Sequence, residues 1–380
     1  MPWKVAPVSE IRTALIHYVR TQHHRVVDAA RAFGVSRKTA YKWLARYDHQ
    51  QQPGQPLVDR SRRPARSPAK TADAIEQLIV QARARFNWGP RKIHAYLRER
   101  QHTLPSIRTV AAILKRNGCI DPPPPPAADP QRFERPAPND LWQIDHKGPV
   151  SVQRQKLVPL SILDDHSRYC LAFEPLVDRT MARAWTVLWD VFGDVGLPGA
   201  ILTDNAFNTM GIDRPVGLSW FDARLIRLGI RPLHGRPYHP QTQGKVERLH
   251  GSIQRELLDF NARRDSTQHF IADARAWRET YNHLRPHEAL GDRTPATRWR
   301  PSDRKRPDEL PEPAYAAGAL LRTVCQEGVV RFAGCRILVG RGISSQVVRI
   351  EEHDAGLNIF YCDHALRSLS TEQLAKDRVL

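Results

Sequence analysis

At 380 residues, 41% hydrophobic and 26% charged, the chain is long enough for two to four domains with cores of their own. No apolar run approaches the roughly 20 residues of a membrane span, and the opening MPWKVAPVSE lacks the basic-then-apolar pattern of a secretory signal, so a cytoplasmic protein without a membrane partner is expected. The formal charge of +18 is unevenly spread: residues 1–120 hold 23 Lys/Arg against 7 Asp/Glu and the remainder 35 against 33, which predicts a polyanion-binding front joined to a nearly neutral body.

Residues 9–48 read as helices. In VVDAARAFGVSRKTAYKWLARY (26–47), one apolar stripe ends at a Gly34-Val35 turn. Ser36 then caps a second helix that buries Ala40, Trp43 and Leu44. Helix, short Gly turn and capped helix make a helix-turn-helix. The second helix offers Ser36, Arg37, Lys38, Tyr41 and Lys42 to phosphates and base edges in a major groove.

DRSRRPARSPAK (59–70) is aperiodic and rich in Arg, Pro and Ser. It predicts an extended linker whose Arg60, Arg62, Arg63 and Arg66 could follow a groove or backbone. A second helical unit follows from 71 to about 120. FNWGPRKIHAYLRER and PSIRTVAAILKRNG each carry an apolar stripe, Ser106 marks the second helix start, and Arg91 and Lys92 are further DNA-contact candidates. A polyproline spacer, DPPPPP, opens a linker over 121–138.

Residues 139–300 change character. LWQID, KLVPLSILDD and RYCLAFEPLV read as strands, with a turn at His166-Ser167. A helix over 180–193 starts at Thr180 and turns Met181, Trp185, Leu188, Trp189 and Phe192 inward. ILTDN is a further strand, and helices appear near 219–228 and 243–262. Hairpin-like strands followed by alternating helix and strand predict a mixed α/β sheet. A polar, Pro-rich linker (301–315) leads to a β-rich tail (316–380), in which VVRFAGCRILVG and VVRIEEHDAGLNIFYC suggest a small antiparallel barrel. The five cysteines are scattered and never form Cys-x-x-Cys, which argues against a disulfide framework or structural zinc.

Two acids leave strand ends: Asp145 in LWQID and Asp204 in ILTDN. If those strands are neighbours, both emerge at one sheet edge, where open α/β sheets place sites. Glu247 sits beside the stripe Val246, Leu249, Ile253 and Leu257, near the start of a helix able to cross that edge. Three clustered carboxylates need cations, and oxygen ligands without His or Cys favour Mg²⁺ or Mn²⁺. His146 and Asn205 flank the acids as supporting groups. Asp164-Asp165 reads instead as a turn-forming pair.

WQIDHKG, LTDNAFN, HPQTQGKVERLHGSIQREL and YNHLRPHEALGDRTP, together with FGVSRKTAYKWLARY and WGPRKI…PSIRTV, resemble the insertion-sequence transposases with an integrase-type, RNase H-like core. The resemblance spans about residues 20–300. It implies helix-turn-helix units over 1–58 and 71–120, an RNase H-like core over 139–300 with a mixed five-stranded sheet, and a small SH3-like barrel. Asp145, Asp204 and Glu247 become an Asp-Asp-Glu triad holding two Mg²⁺ or Mn²⁺ ions. The implied reaction cuts the element's 3′ ends and joins them to target DNA. The implied partners are double-stranded DNA, both transposon ends and target, and at least one further copy of the chain, in a prokaryotic, nucleoid-associated setting. Lys245 and Arg248 beside the acid suit DNA phosphates. Tyr281, Asn282, Arg285 and His287 match the tail motif, where packing is the expected role.

Two departures stand out. Forty-two residues separate Asp204 from Glu247, longer than the retroviral spacing, with NTMGIDRPVGLSW as the inserted part, expected to be a surface loop. No His/Cys zinc module precedes the core. The competing readings are a DNA-binding regulator that has lost catalysis, a tyrosine recombinase using Tyr281, and a plain RNase H-like nuclease. The complete acid set opposes the first two, and the paired helix-turn-helix units oppose the third.

Overall fold

The structure is a computed structural model that describes residues 7–49, 57–59, 71–119, 134–203, 217–234, 244–260 and 262–376. It forms two compact units, 1–70 and 71–380.

In the first unit, α1 (Val8–Arg20), α2 (Val26–Ala32) and α3 (Arg37–Asp48) bury Leu15, Ile16, Ala30, Ala40, Trp43 and Leu44. Gly34 takes a left-handed φ of 63°, which turns α2 into α3 at no steric cost. Ser36 then accepts the Thr39 amide at 3.1 Å, as its capping role requires. Arg12 lies 3.7 Å from the centre of the Trp43 ring and donates to the Leu57 carbonyl, so the chain beyond α3 is strapped back onto α1.

The second unit opens with α4 (Asp73–Phe86), α5 (Pro90–Glu99) and α6 (Ile107–Arg116) around Ile79, Trp88, Ile93, Val110, Ile113 and Leu114. Ser106 caps α6 as Ser36 caps α3.

The α/β core contains β1 (Trp142–His146), β2 (Val150–Val152), β3 (Gln155–Asp164), β4 (Cys170–Leu176), α7 (Met181–Val195), β5 (Ala200–Thr203), α8 (Trp220–Arg227), β6 (Arg231–His234), α9 (Gly244–Ile253) and α10 (Thr267–His283). The strands form one mixed sheet in the order β2-β3-β1-β5-β6, with β4 also on β3. That makes six strands where five were expected. The extra one is β2, a short hairpin arm formed as the chain doubles back into β3. β1 runs antiparallel to β3 and parallel to β5.

Helices cover both faces. On one, Trp142, Ile144, Leu160 and Ile162 pack against α7 and α8 through Trp185, Leu188, Phe192 and Phe221. On the other, Leu157, Leu163 and Phe173 meet Val246, Leu249, Phe270 and Trp277 of α9 and α10. Thr180 stands at the N-cap of α7, yet the carboxylate that binds its amide belongs to Asp178. α9 widens into a π-helical turn over Gln254–Leu258.

Residues 301–315, expected to link two domains, lie along the core. Ser302 donates to the Leu197 carbonyl at 2.7 Å, and Arg304 donates to the carbonyls of Pro198 and Leu228.

The tail comprises β7 (Leu320–Thr323), β8 (Val329–Phe332), β9 (Cys335–Leu338), β10 (Val347–His353), β11 (Gly356–Tyr361), β12 (His364–Ser370) and α11 (Thr371–Lys376). It is mainly β and is not the closed barrel expected. β12-β11-β10-β7 is one antiparallel sheet, and β8-β9 is a separate hairpin. The apolar faces of sheet and hairpin close over Leu218, Ala223 and Ile226 at α8, so burial against the core replaces strand-to-strand closure.

Candidate active site

β1 occupies the middle of the sheet and carries Asp145 close to its end. Asp145 stands opposite Ser161 on β3. Its carboxylate lies 3.7 Å from Nδ1 of His250 on α9, and Nε2 of the same ring is 3.1 Å from Ser161 Oγ. One imidazole therefore ties α9 to the strand pair at the acid. Burial, with added repulsion from Lys147 and His146, holds the His250 pKa down to about 4, so the ring is neutral near pH 7. His146 is likewise lowered to about 4, by burial first and then Arg179.

Glu247 precedes His250 by three residues, about 4.5 Å along the axis at 1.5 Å per residue. Residues at that spacing are neighbours on one side of a helix. Val246, Leu249 and Ile253 are buried while Glu247 is exposed, so the apolar stripe anchors α9 and leaves the acid accessible.

Asp204 and Asn205 lie outside the described residues, as does most of the surface loop expected over 208–220; its described end is not a surface loop, because Leu218 and Ser219 are buried and Trp220 begins α8. The described part of β5 ends at Thr203, whose register partner on β1 is Ile144, the residue before Asp145. Among the described residues, no group of three or more acidic, His or Cys side chains converges to hold a metal ion.

The pair Asp164-Asp165 is structural, as its turn-forming pattern predicts. Both residues are fully buried. Asp164 accepts from the amides of Asn139 and Ser167 at 2.8 Å and from Ser167 Oγ at 2.5 Å. Asp165 accepts from Arg135 N and Gln143 Nε2.

Lys245, expected to meet DNA, instead places its ammonium 2.6 Å from Asp165. Burial lowers its pKa despite that bond. Arg248 is exposed. In the first unit Arg37, Lys38, Tyr41 and Lys42 are all exposed along α3. Arg60, Arg62, Arg63 and Arg66 lie outside the described residues.

Arg91 and Lys92 of α5 are engaged elsewhere. Arg91 pairs with Glu288 at 2.8 Å and Asp292 at 3.0 Å. Lys92 lies 3.1 Å from Glu256, in the π-helical turn after α9. Their charges thus hold α5 against the core, because core carboxylates sit opposite them.

Glu256 is the hub of that contact. It also accepts from Arg285 through Nε and Nη2, at 2.9 to 3.0 Å, and from the Trp88 indole at 3.3 Å. Burial alone would raise its pKa, but Arg285 and Lys92 more than offset this and leave it lowered. Lys92 falls to about 8, through burial and then repulsion from Arg285. Arg285 is thus the firmer partner of Glu256.

The tail motif is internal, as expected. Tyr281 is 3% exposed, and burial drives its phenol pKa well up, which suits packing rather than nucleophilic attack. Asn282 exchanges two hydrogen bonds with the Cys170 backbone, where the β3-β4 register shifts. His287 meets Arg285 at 3.0 Å.

Sequence reasoning missed His250, Ser161, Glu256 and a chain of contacts at the β5 end. There Thr203 Oγ1 is 3.0 Å from His234 Nδ1, and His234 Nε2 is 3.4 Å from Asp222 of α8. His250 had a usable signal, its three-residue spacing from Glu247. The others are joined only by folding.

Residues 135–240 and 228–295 each match the Integrase core domain. The chain carries an integrase core. Ahead of that integrase core, residues 12–65 match a Helix-turn-helix domain and 39–114 a Homeodomain-like domain. This is the domain order of the transposase resemblance.

Among solved structures, the chain is similar to one from the simian T-cell lymphotropic virus intasome at 17% identity, over 73% of this chain and 99% of that one, with a TM-score of 0.37. It is also similar to the HTLV-2 integrase catalytic core domain in complex with magnesium. The trimeric form is 20% identical, over 43% of this chain and 97% of that one, with a TM-score of 0.32. The dimeric form is 19% identical, with the same coverage and TM-score.

Proposed function

We propose that this integrase-core protein is the transposase of an insertion sequence, binding the element's terminal inverted repeats, cutting their 3′ ends and joining them to target DNA. The observation that supports this most directly is the approach of α9 to the end of β1. Asp145 touches His250, Glu247 lies one turn earlier on the same helix, and Thr203, bonded directly to Asp204, pairs with Ile144.

The donor set fits a hard divalent cation: three carboxylates and no thiolate, with the nearby imidazole held neutral. Asp145, Asp204 and Glu247 would hold two Mg²⁺ or Mn²⁺ ions. Such ions activate the attacking oxygen, a water and then a 3′-hydroxyl, and offset charge on the leaving oxygen. His250, held by Ser161, lies beside the Asp145 carboxylate. The exposed face of α3, with Arg37, Lys38, Tyr41 and Lys42, reads the end, and Arg248 is placed to meet backbone phosphate.

Joining two ends in one complex requires at least two copies. Among the described residues no helix is long and apolar enough to cross a membrane, and we place the protein on prokaryotic DNA in the cytoplasm.

The test is strand transfer with purified protein, a labelled duplex of the element's end, a target plasmid and Mg²⁺ or Mn²⁺. Asp145→Asn, Asp204→Asn and Glu247→Gln should each lose roughly 10³-fold in rate, about 4 kcal/mol of transition-state stabilisation, while end binding persists. Wild-type turnover in any of the three would remove that residue from the site. Tight end binding by the wild type without cleavage under any divalent metal would instead point to a regulator.

A further inference from the structure

Polar contacts tie α9 to the sheet on both sides of its apolar stripe. In the first turn, Lys245 places Nζ 2.6 Å from an Asp165 carboxylate oxygen and donates to the Asp165 carbonyl at 3.2 Å. Further along, His250 stands between Asp145 and Ser161.

Both sets of contacts end on one face of the sheet. Trp142 and Ile144 pack towards α7, so by strand alternation Gln143 and Asp145 face α9. Gln143 donates to Asp165 at 2.8 Å, and Asp145 pairs in register with Ser161. Asp165 therefore joins β1 to the start of α9.

At about 100° per residue, Lys245 and His250 lie about 70° to either side of the stripe of Val246, Leu249 and Ile253. Glu247 lies about 60° beyond His250 on the same wheel. Burial of the stripe is non-directional, so it holds the helix without fixing its roll. Polar contacts on both flanks do fix it, because they work over a narrow range of distance and angle. The roll of α9 in turn sets the direction in which Glu247 leaves the backbone. The Lys245 side chain is 14% exposed and that of Asp165 is fully buried. Turning the ammonium out to a DNA phosphate would leave the Asp165 charge buried without its cation, which is costly.

We propose that Lys245 and Asp165 are positioning residues for Glu247: their ion pair, across the stripe from the His250 contacts, fixes the roll of α9 and so the side from which this carboxylate is presented. This rests on the triad reading given above. Misplacing a reacting group by about 1 Å costs on the order of 10²-fold in rate.

The experiment compares the full-length wild type with Lys245→Met in three ways: single-turnover strand transfer at saturating end duplex, end binding over a salt series, and hydrogen exchange across α9 without DNA or metal. Rates are read well below each variant's melting temperature, so that loss of fold does not enter. Strand transfer should fall by about 10²-fold, with end affinity and salt slope unchanged, and the α9 amides should exchange faster. Asp165→Asn should move rate and exchange in the same direction. The double variant should lose no more than the worse single one, because the two residues act as a pair.

A wild-type rate in Lys245→Met, or unchanged exchange in α9, overturns the inference and leaves the transposase reading standing. So does a salt slope lowered by about 0.9, which would make Lys245 a phosphate contact. If the wild type joins no strands under any divalent metal, the transposase reading falls and takes the inference with it.

Discussion

The two helical segments at the front end carry the same device and use it differently. α3 and α6 each start at a Ser that accepts the amide of a Thr three residues on, and each buries one stripe. On α3, Arg37, Lys38 and Lys42 stay exposed. Beside α6, two cations of α5 meet core carboxylates: Arg91 meets Glu288 and Asp292, and Lys92 meets Glu256. A basic helical segment is therefore not by itself a DNA surface. What decides is whether carboxylates of the same chain reach the cations first.

The largest expected effect probes the docked side. Glu256→Ala leaves the Arg285 guanidinium and Lys92 ammonium facing an emptied buried site, and breaking a buried pair in this way costs about 3–5 kcal/mol. Urea unfolding should show it as a lower midpoint, and an unchanged midpoint would mean that the hub is not what joins α5 to the core.

Next comes the exposed side. Arg37→Ala with Lys38→Ala should weaken binding to the end duplex. If both contact phosphate, the slope of log affinity against log salt should fall by about 1.8, at roughly 0.9 per phosphate contact. A slope equal to wild type would remove α3 from the DNA.

The smallest effect sharpens the contrast. Arg91→Ala should leave the salt slope unchanged and cost about 0–1 kcal/mol in stability, because its pairs are largely solvent-exposed. A slope reduced as much as in the α3 variant would erase the distinction between the segments.

Acid should act on the docked side as well. His287 is half-buried, and its pKa lies well below 6.5 through desolvation and then repulsion from Arg285 and Lys92. Below about pH 6.5 the unfolded chain therefore takes up a proton that the folded chain refuses, and stability falls as pH falls. Glu256, with a lowered folded pKa, adds a second loss at lower pH, below the ordinary glutamate range. The urea midpoint should decline from near pH 6.5 downward, and His287→Asn should delay the first part of that decline.

Much of the fold was legible in the sequence because its signals are local. Ser36 and Ser106 cap the helices that begin just after them, since a cap bonds an amide only a few residues away. LWQID and KLVPLSILDD became paired central strands because their apolar content needs cover on both faces. β2 and β6 were not located, being only three and four residues long. The tail's failure to close was invisible for another reason: a strand's pattern says that one face is buried, not what buries it.

The motif order was readable, and with it the burial of Tyr281 and Asn282. A motif's chemistry resides in its side chains and its spacing in the chain. The partners of the cations were decided only by tertiary structure. Lys92 meets a carboxylate 164 positions away and Arg91 one 201 positions away. Thr203, His234 and Asp222 form a chain of contacts only once β5, β6 and α8 have packed. Contacts of that range depend on which elements end up adjacent, and local pattern carries no record of it. The sequence by itself determined what each segment is able to do; whether a given charge faces solvent or another part of the chain was decided when the segments packed.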